Sequence, residues 1–311
     1  MTISVVLPNY NHALYLPQAL KAIFAQSLLP NEVIIIDDAS TDNSLSLIKK
    51  WQDKHPQIKL FQNKITQGPI SSINQGIRAA KSDYLAFCSA DDFVLSGFFE
   101  KAKDFLDIHP EIGLCTGNTC HFNNNSSYLL SPDQVSLGEV PQIFSPEELL
   151  KIFRKTTFFI HSNCTLYRKK YVEDLGGLNP RLKSYGDWHL NCQIALKYGI
   201  GYIPSFFGAF RLSDNSYAKK IKNSPELNKI FQTLMEEIEM NGLAKIYKST
   251  GLIAQGGIQF VLFLAKTKQY RHYFPLAFIK KCHFHLNTLL KKKNLPKMED
   301  LDSILYTDCE S

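Results

Sequence analysis

Two pairs of adjacent carboxylates are the first residues of this sequence that could do chemistry. Asp37-Asp38 and Asp91-Asp92 each come directly after an apolar run that is typical of a buried strand. Hard divalent cations take carboxylate oxygens as ligands, and such a cation can stabilise the charge of a diphosphate group. Either pair by itself could also cap the following helix or lie in a solvated turn.

Single residues in the second half extend this chemistry. Asp187 stands at the predicted start of a helix, where it could take a proton from a hydroxyl group or complement the helix dipole. Arg211 could neutralise a departing anion or form a surface ion pair. We expect Trp188 to fill the core rather than pack beneath a ligand, and His161 to be structural.

The turn Pro8-Asn9-Tyr10-Asn11 follows the first apolar run. A rigid proline beside a tyrosine can sandwich a nucleobase, because an aromatic ring contributes stacking area at little conformational cost. As an isolated string the same residues could form an ordinary turn.

Strands and helices must alternate to bring these residues together, and the first 118 residues show that alternation. Apolar runs predict strands at Ile3–Leu7, Val33–Ile36, Ile58–Phe61, Tyr84–Cys88 and Ile112–Thr116. Helices are expected near 13–24, 41–54 (capped by Ser40 or Thr41), 68–80 and 97–108. This order predicts an α/β fold with a mainly parallel sheet, in which ligands bind beyond the carboxyl ends of the strands.

The rest of the chain divides into a mixed part and a helical part. Residues 123–146 read as a polar loop near the site, followed by a strand at 163–168, helices at 169–175 and 187–198, and short strands at 200–204 and 206–212. Beyond Asn223 we expect helices at 228–241, 243–268 (with a weak point at Gly256-Gly257) and 276–293. The predicted division is a catalytic domain at 1–223 (halves 1–118 and 119–223), a basic helical region at 224–297 and an acidic tail at 298–311.

Taken together, the motifs resemble the glycosyltransferase family 2 proteins of the GT-A fold. The matching text is Pro-Asn-Tyr-Asn at 8–11, Asp-Asp-Ala-Ser-Thr-Asp at 37–42 and Ser-Ala-Asp-Asp at 89–92, each after a strand. Gly-Gly-Leu-Asn-Pro at 176–180 and Tyr-Gly-Asp-Trp at 185–188 resemble later motifs of that family. The resemblance covers residues 1 to about 215.

The resemblance implies a role for each matching residue. Asp92, with Asp91, would bind Mn²⁺ or Mg²⁺, and Asp187 would be the catalytic base. The nucleotide would be held by Pro8, Asn9, Tyr10, Asp37, Asp38, Gly68, Asn74, Asp91 and Arg211. Two departures from the family pattern are Ser89, where many relatives have Asp, and Gly186, where Glu is common.

The implied reaction is a metal-dependent, inverting transfer of a sugar from a nucleotide-sugar donor, with UDP the commonest nucleotide of the family. The acceptor would be a hydroxyl group of a glycan or a lipid-linked saccharide in cell-surface polysaccharide synthesis. A dehydrogenase is disfavoured because no GxGxxG follows the first strand, and a nucleotidyltransferase would need a Gly-rich basic loop there. A catalytically degenerate sugar-nucleotide-binding or membrane-surface module is the alternative.

Charge and cysteine usage bear on partners and compartment. The chain has a net charge of +6, yet residues 241–297 contain eleven basic residues and no Asp or Glu. Basic amphipathic helices over 243–293 could meet an anionic membrane or pack on the catalytic domain, and no nucleic-acid motif accompanies them. Seven scattered cysteines, no signal-like start and no apolar run of spanning length predict a cytoplasmic protein, with peripheral attachment to the inner face of the membrane as an option.

Overall fold

The computed structural model describes residues 1–122, 128–130, 136–156, 158–213 and 216–292, with the backbone alone for 128–130 and 284–292. The strands are β1 (Ile3–Asn9), β2 (Glu32–Asp37), β3 (Ile58–Gln62), β4 (Tyr84–Phe87), β5 (Phe93–Val94), β6 (Leu114–Phe122), β7 (Tyr128–Leu130), β8 (Gln142–Phe144), β9 (Thr165–Arg168) and β10 (Ile200–Arg211). The helices are α1 (Leu16–Phe24), α2 (Ser44–Lys54), α3 (Pro69–Ala79), α4 (Phe98–Ile108), α5 (Pro146–Lys155), α6 (Lys169–Asp174), α7 (Gly186–Tyr198), α8 (Tyr217–Lys222), α9 (Leu227–Met240), α10 (Ala244–Thr250), α11 (Ile258–Lys266) and α12 (Phe274–Lys292).

The ten strands within the described residues join one sheet, and the predicted α/β fold class is confirmed. The main path is β3-β2-β1-β4-β9-β6-β10-β5, with β7 beside β6 and β8 beside β10. Strands β1 to β4 are parallel, and β6 is parallel to β10, whereas β9 and β5 run antiparallel to their neighbours. The carboxyl ends of β1, β2 and β4 therefore meet at one edge of the sheet.

Alternating side chains of the central strands supply two apolar layers. Val6 and Ile34 lie on the face covered by α3, α5 and α7, while Val5 and Val33 lie on the face covered by α1, α2 and α4. Strands buried on both sides explain why their sequences read as continuous apolar runs.

The C-terminal helices extend the first of these layers. Phe231 of α9 and Phe260 of α11 are fully buried and belong to the same apolar cluster as Val6 of β1. The apolar core thus runs across Ser224, where the domain boundary was predicted, and the division at 1–223 stays a prediction.

Several elements differ from the sequence prediction. One strand, β10, replaces the two short strands, because it continues past Pro204 through register shifts against β6. Helix α2 begins at Ser44, so neither Ser40 nor Thr41 caps it. Short elements that were not predicted are β5, β7, β8, α5 and α8. At α5, Ser145 and Glu148 form a capping box that the sequence could have revealed.

The helix predicted over 243–268 is broken into three pieces. Helix α10 ends at Gly251, whose φ of 62° lies in the left-handed region, and a 3₁₀ turn at Leu252–Gly256 precedes α11. No helix within the described ranges is long and apolar enough to cross a bilayer. Of the cysteines, five are buried and free, Cys282 is exposed, and Cys309 lies outside the described residues.

Candidate functional site

The loops after β1 and β2 are joined by their own side chains. The Nδ2 atom of Asn9 donates to Asp37 Oδ2 at 2.8 Å and to Ser40 Oγ at 3.2 Å, and the Ser40 N–H donates to Asp37 Oδ1 at 3.0 Å. Asn9 and Asp37 are 1% and 0% exposed. Both predicted nucleotide ligands therefore hold the two loops together, and their direct contact with a nucleotide stays a prediction.

A strained turn presents the tyrosine that was predicted to stack on a base. Asn11 has a φ of 55°, and its Oδ1 accepts from the Thr41 N–H at 2.8 Å, which fixes the turn against the loop after β2. Pro8 is half-buried, whereas Tyr10 is exposed beyond the end of β1. The Tyr10 ring is thus available for stacking at this edge.

Asp38 organises the loop between β3 and α3. Its carboxylate accepts from Asn63 Nδ2 at 2.7 Å, from the Gln67 N–H at 2.9 Å and from the Gly68 N–H at 2.8 Å. Gly68 precedes α3 with a φ of 89°. Asp38 and Gly68, both predicted to bind the nucleotide, are thus joined at the edge of the sheet, with the Asp38 oxygens engaged by protein donors.

Asn74 makes a contact that differs from the predicted one. Its Nδ2 donates to the Leu178 carbonyl at 2.6 Å, and its Oδ1 accepts from the Leu178 N–H at 2.9 Å. Gly177 comes so close that a Cβ there would lie 2.7 Å from Asn74 Oδ1. Both amide atoms are used in docking the 176–180 turn onto α3, so the structure gives Asn74 a positioning role.

The second acidic pair lies between β4 and β5, beside the end of β10. The Arg211 N–H donates to Asp92 Oδ1 at 2.8 Å, and Arg211 Nε donates to the Asp91 carbonyl at 3.0 Å. Asp92 is buried, and burial together with the neighbouring Asp91 raises its pKa to about 8, against the lowering effect of the bonds from Arg211 and Ser89. Two adjacent carboxylates with this much desolvation would be stabilised by a cation.

Two aromatic rings and a glutamine side chain contact the guanidinium group of Arg211. The group lies 4.2 Å from the Tyr15 ring centroid and 4.5 Å from the Phe122 ring centroid, and Nη2 donates to Gln18 Oε1 at 2.7 Å. These contacts place a permanent positive charge between the loop after β1 and the Asp91-Asp92 turn. Arg211 therefore lies beside the acidic pair, and its role toward a departing anion stays a prediction.

The oxygen atoms of the acidic turn provide only part of the ligand set that a hard divalent cation needs. Asp91, Asp92 and Ser89 offer oxygen atoms, but the residues that the structure describes contain no group of three His, Cys, Asp or Glu side chains arranged to hold a metal. Mg²⁺ and Mn²⁺ at nucleotide sites commonly take one or two carboxylates and complete their shell with phosphate oxygens and water. The pair therefore suits a metal that binds together with a diphosphate.

Asp187 begins α7 close to the turn that precedes β9. Its Oδ1 accepts from the Trp188 N–H at 2.8 Å, and its Oδ2 accepts from Ser162 Oγ at 3.3 Å. Burial raises the pKa of the Asp187 carboxyl above its usual value, and the two hydrogen bonds partly offset this. A raised pKa at a half-buried carboxylate is what a general base acting near neutral pH requires.

The sheet pairing brings Asp187 toward the acidic turn. Strand β9 runs antiparallel to β4, with Leu166 opposite Ala86, so the start of β9 lies where β4 ends. The Ser162–Cys164 turn leads into β9, and its Ser162 holds Asp187, while the end of β4 leads into Asp91-Asp92. The two acidic groups thus lie at the same edge of the sheet.

Ser162 and Asn163 are site residues that the sequence did not single out. Asn163 is 4% exposed, and neither atom of its side-chain amide has a hydrogen-bond partner among the described residues. An unsatisfied buried amide is unfavourable unless a ligand or water completes it. The sequence analysis placed Asn163 in a strand and assigned no role to Ser162, so only their position near Asp187 in the fold reveals them.

Two residues that were expected to be structural are so. Trp188 is buried with its ring edge-on to Tyr247, and its Nε1 donates to Gln255 Oε1 at 2.8 Å, which joins α7 to the C-terminal helices. His161 packs on the Phe210 ring with centroids 5.2 Å apart, and burial lowers its pKa to about 3. A neutral imidazole in this apolar setting fits a packing role.

Comparison with known proteins identifies what the chain is similar to. The family model for glycosyl transferase family 2 matches residues 4–176. A curated relative, the minor teichoic acid biosynthesis protein GgaB of Bacillus subtilis (strain 168), is 34% identical over 40% of this chain and 15% of its own length. The chain spans 42% and 29% of the length of the first two curated relatives that it matches.

Solved structures extend the similarity to the fold of nearly the whole chain. S. aureus TarS 1-349 in complex with UDP-GlcNAc matches with a TM-score of 0.66 and 18% identity, over 94% of this chain and 92% of that one. The mannosyltransferase PcManGT from Pyrobaculum calidifontis, in complex with GDP-Man and Mn²⁺, matches with a TM-score of 0.56 and 18% identity, over 94% and 87%. At this identity the likeness concerns the fold, and it confirms the GT-A architecture.

Proposed function

The chain belongs to glycosyl transferase family 2, and from that premise we propose that it transfers one sugar from a nucleotide-sugar donor to a hydroxyl acceptor with inversion at the anomeric carbon. The observation that carries this proposal is the placement of Asp91-Asp92 and Asp187 at the same edge of the sheet. An in-line displacement needs a stabilised leaving diphosphate on one side of the sugar and a base on the other.

The proposed donor is a nucleotide sugar, with UDP the first nucleotide to test. Pro8 and Tyr10 would contact the base, and Arg211 would face the diphosphate from its position above the Asp91-Asp92 turn. The complexes of TarS with UDP-GlcNAc and of PcManGT with GDP-Man support a nucleotide sugar as the class of donor. Asp38 would act mainly by fixing the loop on which the base rests.

Asp92, assisted by Asp91, would hold Mn²⁺ or Mg²⁺. The metal would stabilise the negative charge that develops on the leaving diphosphate. Its fit rests on the desolvated carboxylate pair, and the Mn²⁺ in the PcManGT complex supports it. Ser89, which replaces the carboxylate of many relatives, would contribute through its bond to Asp92.

Asp187 would accept the proton of the attacking hydroxyl group. Ser162 Oγ and the Trp188 N–H orient its two oxygens, and the Asn163 amide would add polar contacts to the sugar or the acceptor. Gly186 leaves no side chain where relatives have Glu, so the acceptor would meet α7 through Asp187 alone at this turn. We assign donor binding to residues 1–118, and the base and acceptor contacts to 119–223.

The proposed acceptor is a hydroxyl group of a glycan or of a lipid-linked saccharide in cell-surface polysaccharide synthesis. Similarity of one segment to a teichoic acid biosynthesis protein and the basic C-terminal region support this class of acceptor. We place the enzyme in the cytoplasm, peripherally at the inner face of the membrane, where lipid-linked acceptors are reached. The competing proposal is a module that binds the donor and has lost catalysis.

Calorimetric titration of UDP, dTDP and GDP, each with and without Mn²⁺, tests the donor site. Binding of one nucleotide only with metal would support the proposal, and turnover of its sugar conjugates would separate the enzyme from the degenerate module. Absence of binding for all three nucleotides under both conditions would overturn it.

A further inference from the structure

Helix α12 leaves an apolar stripe uncovered on the outside of the protein. Phe278 and Ile279 are 41% and 63% exposed, and Pro275 and Cys282 are also exposed. A spacing of three, four and seven residues puts these side chains on one side of a helix. In the sequence, Leu286, Leu289 and Leu290 follow at the same spacing.

Helix α11, which packs against α12, has an exposed row of its own. Ile258 and Leu262 are 47% and 45% exposed, and the exposed Lys266 stands one turn further along the same side. We call the exposed residues Ile258, Leu262, Phe278 and Ile279 the α11–α12 face.

This face is narrower than the apolar pattern of the sequence over 243–293. That pattern includes Phe278 and Ile279, which are exposed, but also Leu252, Ile253, Phe260 and Leu264, which are 0–1% exposed and pack in the core. The basic region therefore both packs on the catalytic domain and keeps a separate apolar surface. The sequence left open whether these helices meet a membrane or pack on the catalytic domain, and the two alternatives are compatible.

The segment that carries the α11–α12 face has charge of one sign, because no acidic residue occurs between 241 and 297. Its exposed basic side chains are Lys245 and Lys248 on α10, Lys266 on α11, and Lys268 and Arg271 between α11 and α12. Acidic side chains of a neighbouring helix also come near, since Glu236 and Glu239 of α9 interact electrostatically with Tyr270. A second copy of this surface would bring two strongly basic regions together, which like-charge repulsion disfavours.

We infer that the α11–α12 face binds the surface of an anionic lipid bilayer. Phe278, Ile279, Ile258 and Leu262 enter the boundary between headgroups and acyl chains, and the surrounding lysines reach anionic headgroups. Apolar insertion and charge attraction each add to the affinity. The inference rests on the proposed function in one respect: membrane binding would hold the active site near a lipid-linked acceptor.

Vesicle flotation of the full chain tests the inference, with vesicles of phosphatidylcholine alone or mixed with phosphatidylglycerol. We expect wild-type protein to float only with the mixed vesicles, and added salt to weaken binding. The double variant Phe278→Ser, Ile279→Ser should bind at least about tenfold more weakly. Ile108→Ser is the matched control, because Ile108 is 71% exposed at the end of α4 on the other side of the sheet, and it should bind like wild type.

Three outcomes would overturn the inference. They are no flotation of wild-type protein with the mixed vesicles, equal flotation of the double variant, and flotation that appears only after residues 298–311 are removed, which would make that acidic segment the occupant. Concentration-dependent dimers that the double variant abolishes, without vesicle binding, would assign the face to a second copy. Nucleotide titration is independent of lipid, so failure here is distinguishable from failure of the proposed function.

Discussion

Asp92 on the turn after β4 accepts a hydrogen bond from the main-chain N–H of Arg211, 119 residues later, at 2.8 Å. The bond ties the proposed metal ligand to the end of β10, the strand that also pairs with β5 directly after Asp92. A displacement of this strand end would therefore shift the acidic turn. The position of Asp92 thus depends on both halves of the chain.

Replacement of Asp92 by Asn tests its role as metal ligand. The Asn side chain can still accept from Arg211 N–H, and loss of a carboxyl group whose pKa is raised by burial should not lower the free energy of unfolding. We expect Mn²⁺-dependent nucleotide binding to be lost in calorimetry, by about 100-fold or more. Asp104→Asn, at an exposed position of α4, should bind like wild type. Unchanged Mn²⁺-dependent affinity in Asp92→Asn would refute the assignment.

Replacement of Asp187 by Asn tests the base. The variant keeps an acceptor for the Trp188 N–H, so the start of α7 should be preserved. We expect kcat/KM to fall by about 10²–10⁴-fold while nucleotide affinity stays as in wild type, since the base acts only on the acceptor. Steady-state kinetics and calorimetry on the same preparation measure both quantities. Full activity would exclude Asp187 as the base.

Removal of the Ser162 hydroxyl should shift the pH dependence of the reaction. Burial raises the pKa of Asp187, and the bond from Ser162 lowers it, so Ser162→Ala should raise it further. Because the base works when deprotonated, the acid limb of the kcat/KM profile should move to higher pH. Ser46→Ala on α2 is the control. A profile that coincides with wild type would contradict the role of Ser162.

Replacement of Asn74 by Ala distinguishes a role in docking the 176–180 turn from a role in binding the nucleotide. If it docks the 176–180 turn, Asn74→Ala leaves the Leu178 N–H and carbonyl unpaired and lowers the free energy of unfolding by about 2 kcal/mol. Nucleotide affinity should then be unchanged. Urea unfolding measures the stability of the variant and nucleotide titration measures its affinity, with Gln62→Ala, at an exposed position, as control. Unchanged stability with weakened nucleotide binding would restore the contact implied by the family resemblance.

Glu32 makes a pH-dependent contribution to stability. Burial raises its pKa, but hydrogen bonds from Lys59, the Lys81 N–H at 2.6 Å and Ser4 Oγ at 2.5 Å outweigh burial and lower it below 4.5. The stabilisation is therefore present above pH 4.5 and is lost as pH falls through the lowered folded-state pKa.

The Glu32→Gln variant measures this contribution. It should be about 2 kcal/mol less stable than wild type at pH 7, and the gap should close in acid, as followed by urea unfolding at several pH values. Asp53→Asn, at an exposed position of α2, should show no such gap. A stability difference that stays constant as the pH falls would show that ionised Glu32 is not its source.

Much of the molecule could be predicted from local patterns. Apolar runs and turn residues placed β1 to β4 and their helices within a few residues, because each pattern is set by neighbours in the chain. The motifs at 8–11, 37–42 and 89–92 were enough to indicate the family, since each directly follows a strand whose carboxyl end faces the same edge. The acidic turn was singled out in this way, whereas Asp187 was singled out by its place at a helix start and by a later motif of the same resemblance.

The tertiary structure alone decided which partners these residues have. Asn74 and Leu178, or Arg211 and Asp92, are far apart in the chain, and no local pattern records that they meet. The same holds for the C-terminal helices, where Phe260 and Ile258 look alike in sequence but are buried and exposed. Helical spacing fixes which residues share a face, whereas the packing of α9 to α12 on α5 and α7 determines which face is covered.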